Sequence, residues 1–247
     1  LMLQTPGDVA LNGWIKIAAD GAVVLAMPRS EMGQGIHTAL AMLVAEELDV
    51  PLNRVRLEQA GSDSIYGNVA MLVASLPFHP LDSEGEHKPT KIKMGEWLVG
   101  KIARELGLNA TGGSSSIADL WDPLRMAAAT ARASLLQTAA AAWKVPASEI
   151  TVAQGVMRHT SGQSAHYGQM VAVASGSTPS GIQTKARQDW KLMGQSAPRI
   201  DIPSKVTGQA IFGLDVRLPG MLFANVQMCP MLGGSAASMD TKDALAL

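Results

Sequence analysis

The feature that most constrains the fold is a glutamine between two glycines, Gly33-Gln34-Gly35, at a point where the hydrophobic pattern changes period. Residues 13–27 alternate, turn at Asp20-Gly21 and end in an apolar run, which predicts two paired strands. Residues 38–48 carry apolar side chains three and four apart, which predicts a helix with one buried face. With a further strand over 55–59, the pattern predicts a β-β-α-β block whose first loop is the candidate site.

Two interpretations of this loop stay open. Glycines permit a positive φ, so the loop can be a tight strand-to-helix turn, and Gly-x-Gly alone is a weak signal. Alternatively, N–H groups at the helix start bind an anion, while the Gln34 amide donates to and accepts from a polar heterocycle. The sequence excludes the nicotinamide fingerprint, because its third glycine is missing, and the Walker loop, because no Gly-Lys-Ser/Thr follows.

A second loop of similar character spans Thr111-Gly-Gly-Ser-Ser-Ser116, with two glycines and four hydroxyls. Gly/Ser composition alone favours a plain linker. Asp119 and Asp122-Pro123 follow and lead into a predicted helix over 124–143, with one stripe formed by Met126, Thr130, Ala133, Leu136 and Ala140. Two loops that end at helix starts enclose a pyrophosphate better than either alone.

The remaining segments predict supporting structure. Residues 61–93 predict a long irregular insertion in which His79 and His87 are loop histidines without metal-ligand spacing. A helix over 94–108 follows, with one face formed by Trp97, Leu98, Ile102 and Leu106. Residues 150–167 predict a hairpin that leads into a short helix, and the Gly/Ser/Pro stretch 176–181 predicts a linker.

The last third predicts strands at 211–212 and 222–228 and a helix from 241 whose N-cap is Asp240. A chain that stops after such a helix is expected to be a piece of a larger protein. The predicted class is α+β. The first domain is predicted over residues 1–180 and contains a mixed sheet. Residues 181–247 are predicted to form a linker and an incomplete second domain.

Composition excludes several classes of function. The chain has 20 basic and 21 acidic residues, which argues against a nucleic-acid surface or a polybasic membrane patch. It has no apolar stretch of 18 or more residues, so we expect no transmembrane segment, and no signal peptide is visible. The single cysteine, Cys229, excludes an internal disulfide and an iron–sulfur cluster held by this chain, and its neighbours predict a buried strand end.

Three separated motifs together resemble one family. Glu31-Met-Gly-Gln-Gly-Ile-His-Thr38, followed by Ala45-Glu-Glu-Leu48, is similar to the molybdopterin-binding subunit of the xanthine oxidase and aldehyde oxidoreductase family. The branch it resembles is the isoquinoline 1-oxidoreductase beta-subunit type, which includes membrane-associated aldehyde dehydrogenases. The loop 111–116 resembles the Thr-x-x-Ser-x-Ser loop of that family, and residues 198–224 resemble the segment that leads into its α/β-hammerhead domain.

The resemblance implies a cofactor, partners and site residues. The cofactor is molybdopterin with molybdenum, expected in its cytosine dinucleotide form. The implied partners are the remaining part of the large subunit, a small [2Fe-2S] subunit and, as a further candidate, a cytochrome c subunit. A periplasmic or membrane-associated location follows from the resemblance alone. The implied cofactor-binding residues are Met32, Gly33, Gln34, Gly35, Thr111, Gly112, Gly113, Ser114, Ser115 and Ser116.

Two functions remain open at this level. The first is part of a molybdenum hydroxylase large subunit that oxidises aldehydes or N-heterocycles. Nothing in this chain matches the Gly-x-Gly-Glu setting of the family's catalytic glutamate, so we assign no catalytic residue and no metal ligand here and expect no activity from the chain alone. The second function is a non-catalytic scaffold or assembly module of the same fold without cofactor. Bound molybdopterin distinguishes the two.

Overall fold

The structure is a computed structural model that describes residues 7–83, 87–171 and 179–245. The chain divides into two compact units, Leu1–Pro203 and Ser204–Leu247. The first half of the linker predicted at 176–181, and the end of the short helix predicted before it, lie outside the described residues.

A four-stranded mixed sheet opens the first unit, in the order β1 (Val9–Ala10), β2 (Ile15–Ile17), β3 (Val23–Met27) and β4 (Val55–Gln59). The first three strands are antiparallel, and their turns are closed by side chains, with Asp20 accepting from the Ala22 N–H at 2.9 Å. β3 and β4 are parallel. A parallel pair needs a crossover, which α1 (Ile36–Leu48) supplies. The predicted β-β-α-β block and mixed sheet are therefore confirmed.

The large apolar core joins this sheet to two helices, α1 and α5 (Ser116–Trp143). Every residue of β3 is buried, and α1 presents Leu40, Val44 and Leu48 to the core. α5 contributes small and branched side chains, namely Leu120, Leu124, Ala128, Ala131, Leu135 and Ala139. The two glycine-containing loops lead directly into α1 and α5. Because these helices pack in the same core, their packing sets the relative position of the two loops.

Two predictions for α5 are wrong. The helix begins at Ser116 rather than 124, and it contains Pro123, whose missing N–H removes one bond only two turns from the helix start. The buried face runs through Leu124 and Leu135, whereas Met126, in the predicted stripe, is 43% exposed. Alanine and leucine occur on several sides of this helix, so the hydrophobic period does not select one face.

The segment between the two loops forms short helices rather than an irregular excursion. It contains α2 (Val69–Ala74) and α3 (Pro80–Ser83), and it leads into α4 (Thr90–Leu106), which ends at Gly107 with φ 60°. The apolar residues predicted to share one face of α4 are exposed, including Trp97 at 59%. The opposite side of α4 packs against α2.

A second, three-stranded antiparallel sheet completes the first unit, with β5 (Thr151–Ala153), β6 (Val156–Arg158) and β7 (Ser164–His166). The predicted hairpin is confirmed. The short helix α6 (Tyr167–Val171) follows, and the buried Tyr167 hydroxyl donates to the Leu48 carbonyl at 2.7 Å. This bond fastens the second sheet to the end of α1.

The second unit has little regular structure in its described residues. α7 (Ile202–Val206) spans the boundary between the units, and α8 (Lys242–Leu245) lies near the chain end. The Lys242 N–H donates to Asp240 at 3.1 Å. Because α8 begins at Lys242, the residue directly before it is Thr241, and the predicted N-cap Asp240 lies one position earlier. The strands predicted at 211–212 and 222–228 are absent from the described part of this unit, because no neighbouring strand there accepts their backbone bonds.

Further features of the chain bear on the sequence predictions. Cys229 is exposed, so the predicted buried strand end is wrong. Assignment of residues 181–247 to the start of an α/β-hammerhead domain stays a prediction. Among the described helices, none has the length and apolarity needed to cross a membrane.

The corrected buried face of α5 is testable with a matched pair. Leu124→Ala removes a fully buried side chain and leaves a cavity, so we expect the free energy of unfolding to fall by about 2–5 kcal/mol. Met126→Ala changes a partly exposed side chain, and we expect about 0.5 kcal/mol or less. Urea unfolding of both variants measures the difference. A larger loss for Met126→Ala would show that the stripe predicted from sequence is the buried one.

Candidate functional site

The two glycine-containing loops line one cleft of about 470 Å³ in the first unit. One wall comes from the loop between β3 and α1, and the other comes from the loop before α5. The Ser30 N–H donates to the Thr111 hydroxyl at 2.9 Å and joins the loops directly. The lining residues are Met32, Gln34, Gly35, Ile36, Ala39, Thr111, Gly112, Ser114, Ser116 and Ile117.

The first loop depends on glycine for its backbone conformation. Gly33 and Gly35 have φ of 99° and 84°, which residues with a side chain rarely adopt. A Cβ at either position would meet no atom of the protein within 4 Å. The glycines are therefore required by the backbone turn, and they leave open space beside it.

The N–H groups of the first loop are occupied by a carboxylate of the loop itself. Glu31 accepts from the N–H groups of Gly33 and Gly35 at 2.9 Å each and from His37 at 3.1 Å. Burial raises the pKa of Glu31, but these three bonds outweigh it and hold the pKa below its ordinary value. Glu31 thus occupies part of the donor set at the start of α1, while the N–H groups of Ile36 and Thr38 bond to no acceptor within the described residues. Anion binding at this helix start stays a prediction, and the Glu31 carboxylate opposes it by charge repulsion.

Gln34 folds back over its own loop. Its Oε1 accepts from the Met32 N–H at 2.6 Å, and its Nε2 donates to the Ser30 carbonyl at 2.9 Å. A carboxamide has two N–H donors and two acceptor lone pairs, so half of its capacity remains for a ligand. The side chain is exposed and lines the cleft. It can therefore shape the loop and present a neutral polar edge at the same time.

The second loop leaves its helix start open. The N–H groups of Ser116, Ile117 and Ala118 bond to no acceptor within the described part of the chain. They begin a helix of 28 residues, whose dipole favours an anion at this end. Ser114, which lines the cleft beside them, has φ 52°, an uncommon conformation for a residue with a side chain. The anion-attracting end of the cleft is therefore at α5.

The ten predicted cofactor-binding residues divide into two groups. Seven line the cleft, whereas Gly33, Gly113 and Ser115 do not. Ser115 is buried, donating to the Gly112 carbonyl at 2.6 Å and accepting from Asn68 at 2.8 Å, so it holds the loop together. Sequence reasoning missed the apolar lining of Ile36, Ala39 and Ile117, although their place in the first turns after each loop was a usable signal.

A buried ion pair lies behind the cleft and was also missed. Arg29, two residues beyond the end of β3 and fully buried, contacts Asp119 of α5 at 2.6 Å. Burial lowers the pKa of Arg29 and the Asp119 carboxylate opposes this, which keeps the guanidinium charged. Arg29 also donates to the Tyr66 carbonyl at 2.8 Å and to Asn109 at 2.9 Å. One side chain thus joins β3, the insertion and the second loop.

His79 and His87, the two histidines of the insertion, do not line the cleft. The His79 ring accepts from the Leu81 N–H at 3.3 Å within its own turn, as a loop histidine does. A search of the described residues finds no group of three or more His, Cys, Asp or Glu side chains arranged to hold a metal ion.

The sequence of this chain is similar to those of several known proteins. Residues 4–75 match the family model for the molybdopterin cofactor-binding domain. The chain is 35% identical to the beta chain of the isoquinoline 1-oxidoreductase of Brevundimonas diminuta, over 96% of this chain and 31% of that protein. It is 28% identical to the membrane-bound aldehyde dehydrogenase of Gluconacetobacter polyoxogenes, over 97% of this chain and 27% of the other.

Two further similarities are weaker. One component of the nicotinate dehydrogenase of Pseudomonas putida is 29% identical, over 89% of this chain and 15% of that protein. The solved structure of a Cu,Mo-containing CO dehydrogenase has a TM-score of 0.39 at 18% identity, over 63% of this chain and 15% of the other, too low to support an argument.

This chain therefore carries a molybdopterin cofactor-binding domain. It is a relative of the molybdopterin-binding subunits of the xanthine oxidase and aldehyde oxidoreductase family, of the isoquinoline 1-oxidoreductase beta-subunit type. The resemblance drawn from the three motifs is confirmed. The chain spans about a third or less of the length of these relatives.

The buried ion pair predicts a large effect on stability. Asp119→Ala leaves the Arg29 charge buried without its partner, so we expect a loss of about 3–5 kcal/mol of unfolding free energy. The control is Arg56→Ala, which removes an exposed ion pair with Asp20 and should cost about 1 kcal/mol or less. Urea unfolding measures both. An unchanged midpoint for Asp119→Ala would contradict this role, and the double variant Arg29→Met/Asp119→Leu should recover part of the loss.

Glu31 predicts a pH dependence of the first loop. Because its folded pKa is lowered, its bonds contribute stability above its ordinary value of 4.5 and lose it as the pH falls through the lower folded pKa. We expect the amide chemical shifts of Gly33, Gly35 and His37 to titrate together below pH 4.5. The joint titration should vanish in Glu31→Gln. A midpoint at or above the ordinary value would show that the carboxylate does not hold the loop.

Proposed function

We propose that the cleft between the two loops binds the molybdenum cofactor through its pterin and phosphate groups. The observation that carries this proposal is that residues of both loops line one open cleft, with N–H groups at the start of α5 that have no acceptor in the described part of the chain. A cleft of about 470 Å³ lies within the range of ligand pockets in proteins.

The residues present fit such a group. A pterin has donors and acceptors on one edge, which suits the remaining capacity of the Gln34 carboxamide. A phosphate needs N–H or O–H donors, which the start of α5 and the hydroxyls of Thr111, Ser114 and Ser116 supply. Ile36, Ala39 and Ile117 provide apolar surface for the faces of a ring. Glu31 repels an anion from the start of α1, so we place the phosphate end at α5 and the neutral edge near Gln34.

The molybdenum cofactor supplies the redox chemistry when it is bound. This chain's residues bind and orient it, and none is assigned as the base of the reaction. For the longer protein we propose hydroxylation of an aldehyde or N-heterocycle, with the cytosine dinucleotide form of the cofactor. A [2Fe-2S] subunit would accept the electrons, with a cytochrome c subunit as a further candidate partner. The names of the relatives, which include aldehyde, isoquinoline and nicotinate oxidoreductases, support this class of substrate.

The proposed site predicts selective loss of cofactor. Gln34→Ala should leave ligand groups unpaired at a cost of roughly 1–3 kcal/mol, which is about a ten- to hundredfold loss of affinity. Ser114→Ala should act in the same direction more weakly. The measurement is molybdenum and pterin per purified protein, expressed in a host that makes the cofactor, with pterin detected as its fluorescent oxidation product.

The controls are His79→Ala and His87→Ala, which lie outside the cleft and should keep the wild-type cofactor content. Loss of cofactor in these variants with retention in Gln34→Ala would show that the site is elsewhere. A wild-type protein without pterin would favour the scaffold function instead.

A further inference from the structure

One segment, residues 185–201, is bonded to both ends of α1. At the C-terminal end of the helix, Glu46 accepts from the N–H groups of Lys191, Leu192 and Met193 at 2.9, 2.6 and 3.0 Å. At the N-terminal end, the Ile200 N–H donates to the Thr38 hydroxyl at 3.0 Å. The segment therefore runs antiparallel to α1 and reaches the loop that lines the cleft.

Arg199 makes the contact between this segment and the loop. Its Nη1 donates to the Gly33 carbonyl at 2.7 Å, and its Nη2 lies 3.2 Å from the Glu31 carboxylate. Asp201 holds the guanidinium itself, accepting from Nε at 3.0 Å and from Nη2 at 2.6 Å. Two charge-assisted hydrogen bonds from one planar guanidinium to two parts of a loop stabilise the loop and also restrict its geometry.

We propose that Arg199 is a positioning residue that holds the Glu31–Gly35 loop in its ligand-binding shape, although it does not line the cleft. Two glycines with positive φ give this loop many alternative conformations, and the Glu31 bonds alone connect it only to itself and to α1. Arg199 ties the loop to a separate segment, so less conformational entropy is lost when a ligand binds.

The same contact also places a positive charge against the Glu31 carboxylate, which reduces the repulsion between that carboxylate and an anionic ligand. The part of this inference that concerns the ligand rests on the proposed function, whereas the part that concerns the loop does not.

The test uses the whole chain without added cofactor and three variants. Arg199→Met removes the bonds, Arg199→Lys keeps the charge, and Arg187→Met changes an exposed arginine on the same segment that forms no bond with α1 in the described part of the chain. We expect amide hydrogen exchange at Gly33, Gly35 and His37 to be about tenfold faster in Arg199→Met, the scale of one charge-assisted hydrogen bond. Arg199→Lys should restore part of the protection, and Arg187→Met should behave as wild type.

Exchange at residues 43–48 of α1 serves as the internal reference, because these amides are bonded within the helix and should keep their rates in a folded variant. Unchanged exchange at the loop amides of Arg199→Met would overturn the proposal. It would also be overturned if, in Arg199→Lys, the reference amides exchanged faster by the same factor as the loop amides, because the effect would then not be confined to the loop. These readouts do not depend on any ligand.

Pterin content then tests the link to the cleft. We expect it to fall several-fold in Arg199→Met, to recover in part in Arg199→Lys and to stay unchanged in Arg187→Met. Faster exchange at the loop of Arg199→Met together with wild-type pterin content would overturn the claim that the shape of this loop matters for binding. Absence of pterin from the wild type would overturn the proposed function, while the exchange rates would still decide whether Arg199 positions the loop.

Discussion

The buried ion pair between Arg29 and Asp119 is the interaction on which the geometry of the cleft depends. Arg29 stands directly before the first loop, and Asp119 lies in the first turn of the helix that follows the second. Their contact therefore fixes the distance between two loops that are about 80 residues apart in the sequence. A charge at this depth is tolerated only with partners, and carbonyl oxygens of the insertion supply further acceptors for the two terminal nitrogens of Arg29, while its Nε has no partner among the described residues.

The insertion gains a structural explanation from this arrangement. Asn68 caps α2 by accepting from the Met71 N–H at 3.0 Å, and it donates to the Ala110 carbonyl at 3.0 Å and to Ser115. Asp119 also accepts from the Ala70 N–H at 3.0 Å. The insertion thus packs behind the second loop and is hydrogen-bonded to residues that flank or form that loop.

α1 is organised by carboxylates at both of its ends. Glu31 satisfies N–H groups at its start, while Glu46, Glu47 and Asp49 at its end bind Lys185 and the backbone that follows it. Burial raises the pKa of Glu46, but backbone N–H groups and Lys185 bring it below its ordinary value. Of these carboxylates only Glu31 is next to the cleft, and its negative charge makes the start of α5 the end of the cleft better suited to an anion. The cleft therefore has a direction, with a neutral end and an anion-binding end.

The sequence by itself determined the order of elements in the first block, the position of both loops and the need for glycine in the first. Each of these follows from local rules: alternation, helical spacing and the φ that a tight turn requires. The motifs also sufficed to recognise the family, because their letters lie together in short runs.

Only the tertiary structure decided which face of α5 is buried, since its alanine-rich sequence offers several apolar faces. It also decided that Glu31 accepts from N–H groups of the first loop and of His37 in α1, and that Arg29 pairs with Asp119. The physical reason is that each of these groups has several candidate partners in the sequence. The choice among them is made by packing between segments far apart in the chain, which local pattern does not encode.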